Sequence, residues 1–187
     1  DSTFAGAYNA GTTVFATGGT QTLKADKNLT ICGGSGATFQ LTDAANGSLG
    51  AIGTTGADVT FTGTNLNLEN ESAMTGGTLT LTFSAVNAIT NAGDKNAVDK
   101  AFTGAALQLN GVSIVLNQAA GEDGANVTPA VNGQTEGVVL YTISSAADSS
   151  FDGGTTITVN SDLLNKYYTN FRLDKGRNNL IGARPTN

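Results

Sequence analysis

A chain of 187 residues with 39% apolar side chains can bury one substantial core, yet only 13% of it is charged and its net charge is −6. The absence of His excludes Ser–His–Asp and Cys–His nucleophilic centres and the common His/Cys zinc sites, and the single Cys32 excludes an intrachain disulfide. A surface rich in Thr, Ser, Asn, Gly and Ala suits an extracellular β-protein better than a cytosolic enzyme.

The first segment, Phe4 to Phe15, sets Phe4, Tyr8, Val14 and Phe15 among Ala, Gly, Asn and Thr. An apolar terminal segment pairs within its own sheet, or it leaves to complete the sheet of a neighbouring subunit by strand addition. Residues 1–16 are therefore the expected strand-exchange segment. Short strand candidates follow at Thr12–Thr17, Gln21–Lys24 and Asn28–Cys32, with Cys32 read as a small apolar strand residue. Gly33-Gly34-Ser35-Gly36 reads as a turn, because no helix pattern or P-loop Lys follows it.

The clearest strands come next. Thr38–Thr42, Asp58–Thr62 and Thr78–Val86 alternate apolar and polar residues. In the last of these Leu79, Leu81, Phe83 and Ala85 fall on one face, and Thr78, Thr80, Thr82 and Ser84 on the other. Asn65–Glu69 is a less regular candidate, and Asp94–Phe102 allows a short surface helical turn. Leu107-Gln108-Leu109 and Val112-Ser113-Ile114 flank Asn110-Gly111, which predicts a β-hairpin closed by a two-residue turn. Val138–Ile143 and Thr155–Val159 are further strands. Ser161 is a good N-cap before Asp162, and Leu163, Leu164, Tyr167, Tyr168 and Phe171 recur at helical spacing, predicting a three-turn helix that caps one end of the body.

Turn signals punctuate the whole chain. Thr-Gly-Gly-Thr occurs at 17–20 and 75–78 and Gly-Gly-Thr at 153–155, and such unequal spacings disfavour a solenoid. The expected fold is all-β: a β-sandwich or jelly-roll of many short, mostly antiparallel strands, with one short helix near the C-terminus. Residues 1–165 form the body and hold four basic and fourteen acidic groups, a net −10. Residues 166–187 form a basic, partly extended tail with five basic groups and one acidic, a net +4. That sign favours contact with an acidic body, its own or a neighbour's. Arg172, Arg177, Leu180, Ile181 and Arg184 are the tail's candidate assembly residues, beside Phe4, Tyr8, Val14 and Phe15 of the first segment.

Signals for chemistry are weak. Glu69 and Glu71 straddle Asn70, and Glu122-Asp123 lies in a Gly-rich loop; both pairs read as solvated acids rather than a catalytic pair. No catalytic, cofactor or metal residues are expected. Gly121–Asn126 and Asp148–Asp152 are oxygen-rich loops of a kind that holds calcium, but neither has an established calcium-loop spacing, so no ligands are assigned. Four Asn-x-Ser/Thr triplets are what this composition gives by chance. The acidic balance repels nucleic acid, and Tyr167, Tyr168, Phe171 and Arg172 read as a packed cap rather than a base-stacking surface. There is no apolar run of 18 residues, so no membrane insertion is expected.

A chain that starts at Asp1 rather than Met reads as exported after removal of a leader. In composition and strand pattern it resembles secreted β-sandwich subunits of bacterial and archaeal pili and surface layers. The expectation is a secreted, non-enzymatic structural subunit that polymerises with copies of itself, by strand or arm exchange, into a filament or surface layer. A monomeric adhesin or glycan-binding module is the alternative, and a virion decoration or tail component a third.

Overall fold

The computed structural model describes residues 2–4, 12–24, 28–42, 47–63, 65–83, 99–117, 138–175 and 179–183. Its strands are β1 (Ser2–Phe4), β2 (Thr12–Ala16), β3 (Gly19–Lys24), β4 (Leu29–Gly33), β5 (Ala37–Thr42), β6 (Ser48–Leu49), β7 (Ala51–Thr55), β8 (Asp58–Gly63), β9 (Leu66–Leu68) and β10 (Ser72–Thr75). They continue with β11 (Thr78–Phe83), β12 (Asp99–Gly104), β13 (Leu107–Asn110), β14 (Ser113–Asn117), β15 (Val138–Ser144), β16 (Ser150–Asp152), β17 (Thr156–Asn160), helix α1 (Asp162–Tyr167), β18 (Thr169–Asp174) and β19 (Asn179–Ala183).

The strands form three sheets, and this overturns the sandwich. Sheet A runs β1-β3-β5-β8-β11-β14-β17, sheet B β16-β13-β10-β7-β4-β2, and sheet C β18-β19-β15-β12-β9-β6. Every pairing in sheets A and B is parallel. The antiparallel pairs are those of β19 with β15 and β18, in sheet C. From β4 onward each turn of chain passes from B to A to C and returns one strand further along, so the fold is a three-sided parallel β-solenoid.

Alternation then has a simple meaning. In sheet A, Leu23, Leu41, Phe61, Leu81, Leu116 and Val159 are register partners on successive strands and form one inward column. Phe39, Val59, Leu79, Ile114 and Ile157 form a second. In sheet B, Met74, Leu109 and Phe151 line up in the same way. All of these except Ile157 and Val159 are at most 1% exposed. A core of stacked like residues needs no long-range complementarity beyond one turn.

Corners carry the backbone polar groups. At the B-to-A corner Gly36, Gly56, Gly76 and Gly111 have φ of 84°, 70°, 64° and 65°. This left-handed conformation costs Gly little. The amides of Gly56, Gly76 and Gly111 donate to Thr75 O, Asn110 O and Asp152 O of the following turn, at 2.7, 2.8 and 3.0 Å. Buried hydroxyls do similar work between turns: Ser72 Oγ accepts from Ile52 N at 2.9 Å, and Thr155 Oγ1 from Val112 N at 3.1 Å.

Several local expectations change with the architecture. β13 and β14 do not pair with each other, so Asn110-Gly111 is a solenoid corner and not a hairpin turn. Asp99–Phe102 belongs to β12 rather than to a helical turn. Ser161 does cap α1, its side chain accepting from Leu164 N. The helix stops after Tyr167, because Tyr168 is extended and the chain continues as β18. The basic tail is no free arm over 179–183, where β19 is held between β15 and β18. The acidic loop 121–126 lies outside the described residues, as does Ser84–Val86.

Candidate functional site

A solenoid offers two kinds of surface, its ends and its flat sides, and both are built by the register. At the N-terminal end the outer strands are β1 in sheet A, β2 in sheet B and β6 in sheet C; at the other end they are β17, β16 and β18. An outer strand presents a row of backbone groups that can pair with another strand.

The N-terminal candidates divide between the two faces of the wall. Phe4 lies in β1, in register with Leu23 of β3. Val14 packs partly buried against the core, and its neighbour Phe15 points outward with 77% of its surface exposed. Among the described residues Phe15 is the exposed large apolar side chain. In register beside it is Cys32, half-buried on the outer side of sheet B rather than inside the core. Tyr8 lies outside the described residues.

At the other end Arg172 is exposed on β18, and Leu180 and Ile181 sit on β19. Arg177 and Arg184 lie outside the described residues. The described members of the two groups therefore belong to opposite ends of the solenoid and form no single cluster. What sequence reasoning missed is the incomplete cover over the last turn. Ile157, Val159, Phe171 and Leu173 are only partly buried, whereas Ile114 and Leu116, one turn earlier in the same columns, are at most 1% exposed. Alternation marks all of these residues alike, so only the stacking order separates them.

Among the acidic candidates the Glu69 carboxylate has structural partners, as do the main-chain carbonyls of Asp148 and Asp152. Glu69 Oε1 accepts from Ser48 Oγ at 2.6 Å and from Asn67 Nδ2 at 3.4 Å, tying the chain after β9 to β6. The Asp148 carbonyl accepts from Gln108 Nε2 at 2.9 Å, and the Asp152 carbonyl from Gly111 N, Thr155 N and Thr155 Oγ1. Among the described residues no three acidic or Cys side chains converge on a point that could hold a metal ion. No helix among them is long and apolar enough to cross a membrane.

Comparison with protein families, with curated proteins and with solved structures finds no match.

Proposed function

We propose that this chain is an extracellular structural subunit: a rigid β-solenoid that joins copies of itself end to end into a filament or surface layer. The observation that supports it best is the state of the last turn, where Ile157 and Val159 are only partly buried in columns that are sealed everywhere further in. Helix α1 and β18 pack against β17, with Leu164 and Tyr168 buried, yet they leave Ile157 and Val159 only partly covered. An outer strand backed by half-buried apolar residues favours continuation of the stack by another copy. This replaces exchange of a C-terminal arm, since β19 is already paired within its own chain. A head-to-tail contact of this kind does not close on itself and so grows into a filament.

Negative-stain electron microscopy and sedimentation velocity of undenatured protein test the reading. Filaments or sheets whose amount rises with concentration are expected. A monodisperse monomer at high concentration would overturn it.

One observation favours the adhesin as a second reading. Fifteen residues (84–98) separate β11 from β12 and twenty (118–137) separate β14 from β15, whereas two separate β8 from β9. Both long connections are anchored at the A-to-C corner, on successive turns. Insertions gathered on one face of a solenoid commonly mark its binding face. Retention on a glycan array that disappears when 118–137 is replaced by a short linker would favour this reading over assembly.

A further inference from the structure

The outward side of sheet A carries a surface that neither reading uses. Strands β3, β5, β8, β11, β14 and β17 each place three residues on it, eighteen in all. Eleven of these are Thr: two each on β3, β5, β8 and β17, and three on β11. The array is most regular over three consecutive turns, where Thr42, Thr62 and Thr82 form one column in register and Thr60 and Thr80 a second. Thr42 and Thr62 are exposed, and Thr60, Thr80 and Thr82 are half-buried in the wall. None of the sheet A ladders slips in register.

Its chemistry excludes the usual ligands. Lys24 and Asp58 are the two charged residues among the eighteen, and Asp58 Oδ1 already accepts from Thr78 N at 2.9 Å. The face therefore has no cationic cluster for a phosphate or sulfate. It has no aromatic ring on which a sugar could stack. What remains is one small group repeated in two dimensions. Parallel strands lie ~4.8 Å apart and alternate residues ~6.6 Å along a strand, so the hydroxyls and methyls form a nearly rectangular grid. Thr is stiff at χ1, so each position offers one hydroxyl and one methyl with few alternative orientations.

A periodic surface of this kind selects a periodic ligand. The prism face of hexagonal ice presents water oxygens on a rectangular grid with two periods close to these. Ordered hydroxyls can occupy lattice water positions there, while the methyls restrict the waters between them. We propose that the outward face of sheet A, centred on Thr42, Thr60, Thr62, Thr80 and Thr82, binds the surface of ice crystals.

The test uses the full chain. Recrystallisation inhibition in frozen buffer and thermal hysteresis are measured for the wild type, for Thr62→Lys and Thr80→Tyr on this face, and for Ala73→Tyr on the outward side of sheet B. Circular dichroism and thermal melts establish that each variant is folded. Wild type should shape crystals and suppress recrystallisation, Thr62→Lys and Thr80→Tyr should each lose about tenfold or more of that activity, and Ala73→Tyr should retain it. Folded wild-type protein without effect on ice would overturn the proposal, and so would equal losses in all three variants. If the sheet A variants instead abolish a concentration-dependent pairing seen by sedimentation, with no effect on ice, the face joins two copies and the proposal fails. These assays do not read end-to-end growth, so they fail independently of the assembly reading.

Discussion

The rings of Phe61 and Phe102 lie with their centroids 5.9 Å apart and their planes tilted by 40°. One belongs to β8 in sheet A and the other to β12 in sheet C, on successive turns. Both are fully buried, so this pair joins two walls and two turns at once. Phe61→Ala should cost about 3–5 kcal/mol of stability, read by urea unfolding. A double-mutant cycle with Phe102→Ala should show coupling of about 0.5–1.5 kcal/mol, the range of aromatic pairs in this geometry. Strict additivity would mean that the rings act only as separate fillers.

Three glycines grade the demands of the corner. Gly34 has room for a β-carbon and no left-handed φ, so Gly34→Ala should leave the melting temperature nearly unchanged. Gly19 has room but a φ of 73°, so Gly19→Ala should cost about 1 kcal/mol. Gly77 combines a φ of 75° with a β-carbon position that runs into the Ala57 carbonyl oxygen, so Gly77→Ala should be the worst of the three, about 3 kcal/mol. Thermal melts of the three variants give the order directly.

Thr54 points into the core of sheet B in register with Gly33 and Met74, at 5% exposure. Among the described residues no partner reaches its Oγ1. A buried hydroxyl without a hydrogen bond is a desolvation cost of about 1–3 kcal/mol. Thr54→Val keeps the shape and removes the cost, so it should raise the midpoint of chemical unfolding. A fall in stability would show that the hydroxyl is satisfied in solution.

Phe15 tests the N-terminal end in assembly. It projects from outer strand β2 and supports nothing in the core. Phe15→Lys should leave folding intact and reduce end-to-end growth, because a charge on an edge strand opposes further pairing. Unchanged filaments by electron microscopy would place the junction elsewhere.

The positions of many strands were legible in the sequence, although those of β7, β10, β12, β16 and β18 were not, and no strand's partners were. Alternation over Thr38–Thr42, Asp58–Thr62 and Thr155–Val159 marks strands and an inward face, and β5, β8 and β17 lie there. Alternation is a local property, however, and reads the same beside a parallel or an antiparallel neighbour. Asn110-Gly111 illustrates the ambiguity. A Gly that takes positive φ serves a two-residue hairpin or a solenoid corner equally well, and here its amide donates to Asp152 O on the next turn.

The repeat was hidden by its uneven period. Successive sheet A strands pair with offsets of 18, 20, 20, 35 and 43 residues, as in Gly19 with Ala37, Thr38 with Asp58, Thr60 with Thr80, Thr78 with Ser113 and Ser113 with Thr156. The two copies of Thr-Gly-Gly-Thr are thus three turns apart, with Ser35-Gly36-Ala37 and Thr55-Gly56-Ala57 at the corners between them. Closing a chain loop costs only about 0.6 kcal/mol per doubling of its length. The two long connections therefore add roughly 1 kcal/mol in all, too little to force an even spacing on the sequence. As for the candidate assembly residues, the sequence shows which are apolar or basic, but only the stacking order shows that the described ones lie at opposite ends.

The one-turn reach of every ladder in sheets A and B bears on how the chain acquires its structure. No strand there needs a partner more than one turn away, so a stretch that has ordered is already a template for the turn that follows. Such a chain can be threaded through a narrow opening unfolded and then wind up on the far side, each completed turn drawing the next after it and opposing backward slippage.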